Sequence, residues 1–143
     1  MNSFVVDANV VLKWFPPLDE EPLAPQAHAL LDRWERGEVE LVVPDLIWTE
    51  VANVLWKSVR KNRCSLSDAE VVLAAMLEQN LPAVPSGPLI DRAFHIAVTY
   101  SRTAYDSLYV ALAVATNSVL VTADEKLANA LGAHLPVKWL GAM

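Results

Sequence analysis

SFVVDANVV, residues 3–11, is the stretch whose reading decides the fold. Phe4, Val5 and Val6 form a short, uninterrupted apolar run, as in a strand covered on both faces of a parallel sheet. This strand, expected over residues 3–7, finishes on Asp7, although a carboxylate is among the costliest side chains to take out of water. Residues 9–15 then read as a short helix halted by Pro16 and Pro17. If other acids stand at equivalent points further along, Asp7 belongs to a pattern. If none do, it is a cap.

Working outward, strands and helices alternate. Residues 16–25 (PPLDEEPLAP) form a Pro-rich, acidic loop. Ala27, Leu30, Leu31 and Trp34 give helical spacing over 25–36, with Gly37 as the stop. Leu41 to Val43 is a strand ended by Pro44, and Asp45 is the expected N-cap of a helix reaching about 62. Ser67 and Glu70 have capping-box spacing for a helix running to Gln79. A short strand over 81–85, helices over 87–101 and 105–116, and a strand over 118–122 (SVLVT) follow. A helix over 124–131, with Gly132 after it, precedes a last strand over 136–140. The alternation predicts a parallel sheet with helices on both faces. The whole chain, 1–143, reads as one domain without repeats or linkers.

The composition fits: 54% of residues are hydrophobic, enough for a sheet covered twice. Cys64 is the lone cysteine, so an internal disulfide and a thiolate cluster are both excluded. The start lacks the pattern of a secretory signal, and the longest apolar run, Leu108 to Ala115, is far shorter than the ~20 residues of a membrane span. A soluble, cytoplasmic protein is expected. The net charge of −6 argues against a passive nucleic-acid binder, which would be basic. It leaves open an enzyme whose acids hold metal ions.

Taken singly, each acid has an ordinary explanation. Asp7 suits an N-cap. Glu50 falls at the edge of the apolar side made by Ile47, Trp48, Val51, Val54 and Leu55, as a rim glutamate would. Asp106 opens a segment apolar nearly all round (residues 104–115, AYDSLYVALAVA) and suits the first turn of a helix, where the dipole favours an acid. Thr122 and Glu125 have capping-box spacing, which leaves Asp124 as a first-turn acid. Jointly they are harder to explain this way. Asp7 and Asp124 follow parallel strands, and Glu50 and Asp106 lie on helices able to flank the same sheet edge. Clustered carboxylates repel, and a divalent cation relieves the repulsion. All-oxygen ligation suits Mg²⁺ or Mn²⁺. Two such ions ~3.5–4 Å apart would serve phosphodiester cleavage.

Four segments in order carry a resemblance: FVVDANVVLKW (4–14), PDLIWTEVANVLWK (44–57), TAYDSLYVALA (103–113) and LVTADEKL (120–127). Together they resemble the PIN domain, and within it the VapC-type toxins of toxin–antitoxin pairs. The resemblance implies a three-layer α/β/α fold with a five-stranded parallel sheet in order 3-2-1-4-5. It implies a Mg²⁺- or Mn²⁺-dependent endoribonuclease that cuts structured cellular RNA, forms a homodimer and is neutralised by a small VapB-type antitoxin. It makes Asp7, Glu50, Asp106 and Asp124 metal ligands, direct or through water, and gives Thr122 the task of orienting Asp124 or a water. Asn9 stands where the family commonly has Ser or Thr and is a minor site candidate. The loop at 16–25 is a departure that bears on RNA specificity.

Other features carry less. Lys57, Arg60, Lys61 and Arg63 complement the end of a helix or contact phosphate, and Arg102 is a further candidate for phosphate. Trp34 and Trp139 fit a core. Trp14, Trp48 and Trp56 fit a core or a groove for antitoxin or RNA. A phosphatase of the haloacid dehalogenase type would need an acid where Asn9 stands, and a receiver module would need paired acids near the first strand. A PIN fold that binds without turnover is the remaining alternative.

Overall fold

The computed structural model describes residues 2–16, 18 and 22–143. The centre of the acidic Pro-rich loop, 17 and 19–21, therefore lies outside the described residues. The sheet is parallel throughout, in the order β3-β2-β1-β4-β5. Its strands are β1 (Asn2–Val6), β2 (Val39–Pro44), β3 (Ala83–Val84), β4 (Val119–Thr122) and β5 (Val137–Trp139). The helices are α1 (Ala8–Val11), α2 (Ala24–Glu35), α3 (Leu46–Arg60), α4 (Leu66–Glu78), α5 (Ile90–Tyr100), α6 (Ala104–Ala115) and α7 (Glu125–Leu131). The expected three-layer architecture and strand order are both present.

Successive strand residues point to opposite faces, and the two cores divide accordingly. Phe4, Val6, Leu41, Val43 and Val121 pack beneath α1 to α4, with Leu30, Ile47, Val51 and Met76. Val5 and Leu120 face the other way, onto α6 and α7, with Leu108, Leu112, Leu127 and Leu131. β1 is central and buried from both sides, which is why its apolar residues run together without alternation. α6 is buried continuously from Ser107 to Ala113, as its all-round apolar sequence predicts.

Several local expectations change. β1 ends at Val6, so Asp7 stands just beyond the ladder. Residues 8–14 divide into the short α1 and a 3-10 turn, Leu12–Trp14. The helix expected over 87–101 begins with a 3-10 turn, Gly87–Leu89, before α5. The Ser67–Glu70 capping box does not form: Ser65, in extended backbone, accepts the Asp68 N–H at 3.0 Å and starts α4 two residues earlier. Asp45 occupies the N-cap position of α3, but its carboxylate turns away to take the N–H and hydroxyl of Ser86.

The tryptophans also separate. Trp14 is in the core and its indole N–H donates to the Ala27 carbonyl at 2.8 Å. Trp56 is 54% exposed, with the Arg60 guanidinium 5.3 Å from its ring centre, so a core role does not hold for it. Val54, expected on the buried side of α3, stays at the surface. Among the described residues, no helix is long and apolar enough to cross a membrane.

Because α6 packs against β1, β2 and β4, Leu112→Ala, at a position with no exposed surface, is expected to cost about 2–5 kcal/mol. Urea unfolding followed by circular dichroism measures it.

Candidate active site

The topology sets the place. From β1 the chain fills one side of the sheet with β2 and β3, then crosses to the other side for β4 and β5. In open α/β sheets such a switch point leaves a crevice beyond the carboxyl ends of the strands. In the β1–β4 register Phe4 faces Val119, Val5 faces Leu120 and Val6 faces Val121. The next rung places Asp7 opposite Thr122. The Asp7 N–H donates to the Val121 carbonyl at 3.1 Å, and the Asp7 carbonyl accepts Val10 N–H and Val11 N–H, which starts α1.

Thr122 has no exposed surface and its hydroxyl is fully engaged. It donates to Asp7 Oδ2 at 3.0 Å. It accepts the Asp124 backbone N–H at 3.1 Å and the Asn9 side-chain amide at 3.3 Å. Asn9 Oδ1 in turn accepts the Ala123 N–H at 3.0 Å. Thr122 thus holds the Asp7 carboxylate and also meets Asp124 at its backbone N–H. One expectation is corrected here: Thr122 does not cap α7, because Asp124 does so itself, accepting the Leu127 N–H at 3.1 Å. The Asn9 side chain spans Thr122 and Ala123.

The helices bring the other acids. Asp106 stands in the first turn of α6, where Thr103 is the cap and accepts the Asp106 N–H at 3.1 Å. Three residues on, and so on the same face of the helix, the hydroxyl of Tyr109 donates to Glu50 Oε1 at 2.6 Å. Tyr109 is only 1% exposed. Sequence reasoning missed it because it was absorbed into an apolar run. Two signals were available: the spacing from Asp106, and a buried tyrosine's need for a partner.

The carboxyls influence one another. Protein packed around Asp7 strips away most of its water and pushes its pKa up to about 7. The Thr122 hydrogen bond opposes this, and the negative charges of Glu50 and Asp106 add to it. Burial also raises Glu50, against the Tyr109 hydrogen bond, with a further push from Asp106. Asp106 is raised by burial and then by Asp124, while Arg102 and Thr103 act to lower it. The Tyr109 hydroxyl is held firmly protonated by burial and by the charges of Asp7 and Glu50. All four acids are thus linked at one sheet edge, with Asp124, the exposed one, joined through Asp106.

The donor set is carboxylate oxygen, which suits Mg²⁺ or Mn²⁺. Among the described residues, no three His, Cys, Asp or Glu side chains converge closely enough to grip an ion unaided. An ion there would be held by one or two carboxylates and would keep several of its own waters. Arg102, beside Asp106, also reaches the Lys126 carbonyl at 3.5 Å, at the rim of the cleft.

The Asp7 shift predicts a pH dependence. In the folded chain the proton is retained up to about pH 7, whereas the unfolded chain releases it near ~3.9. The stabilisation is complete below that lower value and is lost as pH rises through the upper one. In EDTA at pH 8, Asp7→Asn is therefore expected to be more stable than the wild type, by up to roughly 4 kcal/mol, with the gap closing toward pH 4. Calorimetric melting across that range checks it.

Comparison with known proteins identifies the family and the fold. The profile of the PIN domain matches residues 4–131. Ribonuclease VapC3 of Pyrobaculum aerophilum is 31% identical over 129 residues, covering 89% of this chain and 93% of that protein. VapC ribonuclease Mb0985 of Mycobacterium bovis is 34% identical over 97 residues, covering 68% and 75%. The crystal structure of PAE2754 from Pyrobaculum aerophilum superposes with a TM-score of 0.69 at 25% identity, covering 99% of this chain and 92% of that one. VapBC2 from Rickettsia felis, solved bound to a DNA fragment from its promoter, shares the fold at a TM-score of 0.65 and 14% identity, over 96% and 98%. This chain belongs to the PIN-domain family, among the VapC ribonucleases.

Proposed function

We propose that the protein is a Mg²⁺- or Mn²⁺-dependent endoribonuclease of structured cellular RNA, acting in the cytoplasm as the toxin of a toxin–antitoxin pair. The observation that carries this is the gathering of four acids from separate segments at the switch point of the sheet: Thr122 bonds Asp7 and the Asp124 N–H, and Tyr109, three residues after Asp106 on α6, bonds Glu50. The names of the relatives support the reading.

Asp7, Glu50, Asp106 and Asp124 would hold the metal, directly or through water. When bound, the metal supplies an activated water and charge stabilisation at the leaving oxygen of a phosphodiester. The chain's own residues prepare the site. Thr122 fixes the Asp7 carboxylate by its hydroxyl, and Asn9 holds Thr122 in place. Arg102 offers a cation at the rim, suited to an RNA phosphate. Because phosphate would meet metal and Arg102 rather than bare acids, the negative net charge is compatible with an RNA substrate.

The partners in this reading are a VapB-type antitoxin and a second copy of the chain. Two apolar surfaces are open to them. One lies between α3 and α4, with Leu55, Trp56, Val59, Leu66 and Leu73. The other is a stripe of exposed Ile90, Phe94 and Val98 along α5, four residues apart.

Purified antitoxin-free protein is expected to cleave RNA with Mg²⁺ or Mn²⁺ and to stop in EDTA. Folded Asp7→Asn and Asp106→Asn should each lose on the order of 100-fold or more in rate. Gel analysis of total cellular RNA reads this out. Absence of cleavage together with absence of Mn²⁺ binding by calorimetry would leave a PIN fold that binds without turnover.

A further inference from the structure

Tyr109 does more than fill the core. A buried tyrosine hydroxyl needs a partner, and a neutral backbone carbonyl would provide one cheaply. Here it is given to a carboxylate 59 residues away in sequence, at 2.6 Å. That carboxylate already stands under the negative field of Asp106. The donor sits on α6, three residues after Asp106, in a helix buried continuously over Ser107 to Ala113. One rigid element therefore sets Asp106 directly and Glu50 through the tyrosine. Glu50 itself is half-buried while Tyr109 is covered. Oε1 is consequently committed to the tyrosine, which leaves Oε2 as the oxygen available to an ion.

We propose that Tyr109 is the positioning residue of the acid cluster, its hydroxyl keeping Glu50 Oε1 so that Oε2 alone serves the divalent cation. This rests on the metal-dependent reading given above. Without the hydroxyl the Glu50 carboxylate is free to rotate, and the separation between it and Asp106 is no longer fixed by α6. Partners that orient a metal ligand in this way typically contribute 10- to 100-fold to metal affinity.

Tyr109→Phe removes one oxygen and keeps the ring. Titration calorimetry with Mn²⁺ alone, without RNA, compares the wild type, Tyr109→Phe, Glu50→Gln and the double variant, with melting temperatures run alongside. The expected result is a roughly 10- to 100-fold weaker Kd in Tyr109→Phe. In the Glu50→Gln background the same change should have almost no effect, because the group it positions is gone. A second measurement uses the wild type itself. A slowly exchanging tyrosine hydroxyl proton, absent from Glu50→Ala, should be visible by NMR and should persist at saturating Mg²⁺. Unchanged Mn²⁺ affinity in Tyr109→Phe overturns the proposal. So does an equal loss in both backgrounds, or loss of the hydroxyl signal when Mg²⁺ is added. A wild type that binds no Mn²⁺ refutes the metal reading and this inference with it; a wild type that binds, beside an unaffected Tyr109→Phe, refutes this inference alone.

Discussion

The hydrogen bond from the Thr122 hydroxyl to Asp7 Oδ2 is the interaction on which the site depends. It exists because β1 and β4, separated by more than a hundred residues, lie side by side in parallel with Val6 opposite Val121. A one-residue slip in that register would turn Thr122 to the other face and take its hydroxyl away from Asp7. The apolar residues of the two strands prevent the slip, since Val5 and Leu120 belong to one core and Phe4, Val6 and Val121 to the other. The register that packs the core is thus the register that forms the site.

Around this bond the structure sets burial against charge. Desolvation raises Asp7, Glu50 and Asp106, and their mutual repulsion raises them further. Each is met by donors or a cation: Thr122 and the Ala8 backbone for Asp7, Tyr109 for Glu50, Arg102 and Thr103 for Asp106. These partners moderate the cost without removing it. Structural acids in a fold normally find full compensation or stay in solvent; in the function proposed above, a divalent cation would correct the remaining imbalance. α6 is the reference for the arrangement. Its burial leaves it little freedom, and both Asp106 and the Tyr109 hydroxyl are fixed to it.

Much of this was legible residue by residue. The strand before Asp7, the all-apolar α6 and the alternation of elements follow from hydropathy patterns that short-range rules capture. The caps were less legible, because several polar residues near a helix start compete for one position. Ser65 displaced Ser67 at α4, and Asp124 displaced Thr122 at α7. In the second case the loser was needed elsewhere. The Thr122 hydroxyl was already donated across the sheet, so the next acid along took the cap. Asp45 shows the reverse: a residue at the cap position whose carboxylate was drawn off to Ser86, 41 residues away.

The sequence by itself determined which segments become strands and helices, that the sheet is parallel, and which four acids stand at element ends or edges. These depend on composition and periodicity over a few residues, where the chain's own spacing supplies the geometry. Only the tertiary structure decided which polar group holds which acid. Tyr109 is paired with Glu50, Thr122 with Asp7, and Asn9 with Thr122 across 113 residues. Such pairings depend on which strand becomes whose neighbour and on the rung at which they meet. No local pattern encodes that, because the partners become close only after the two cores have closed on the sheet.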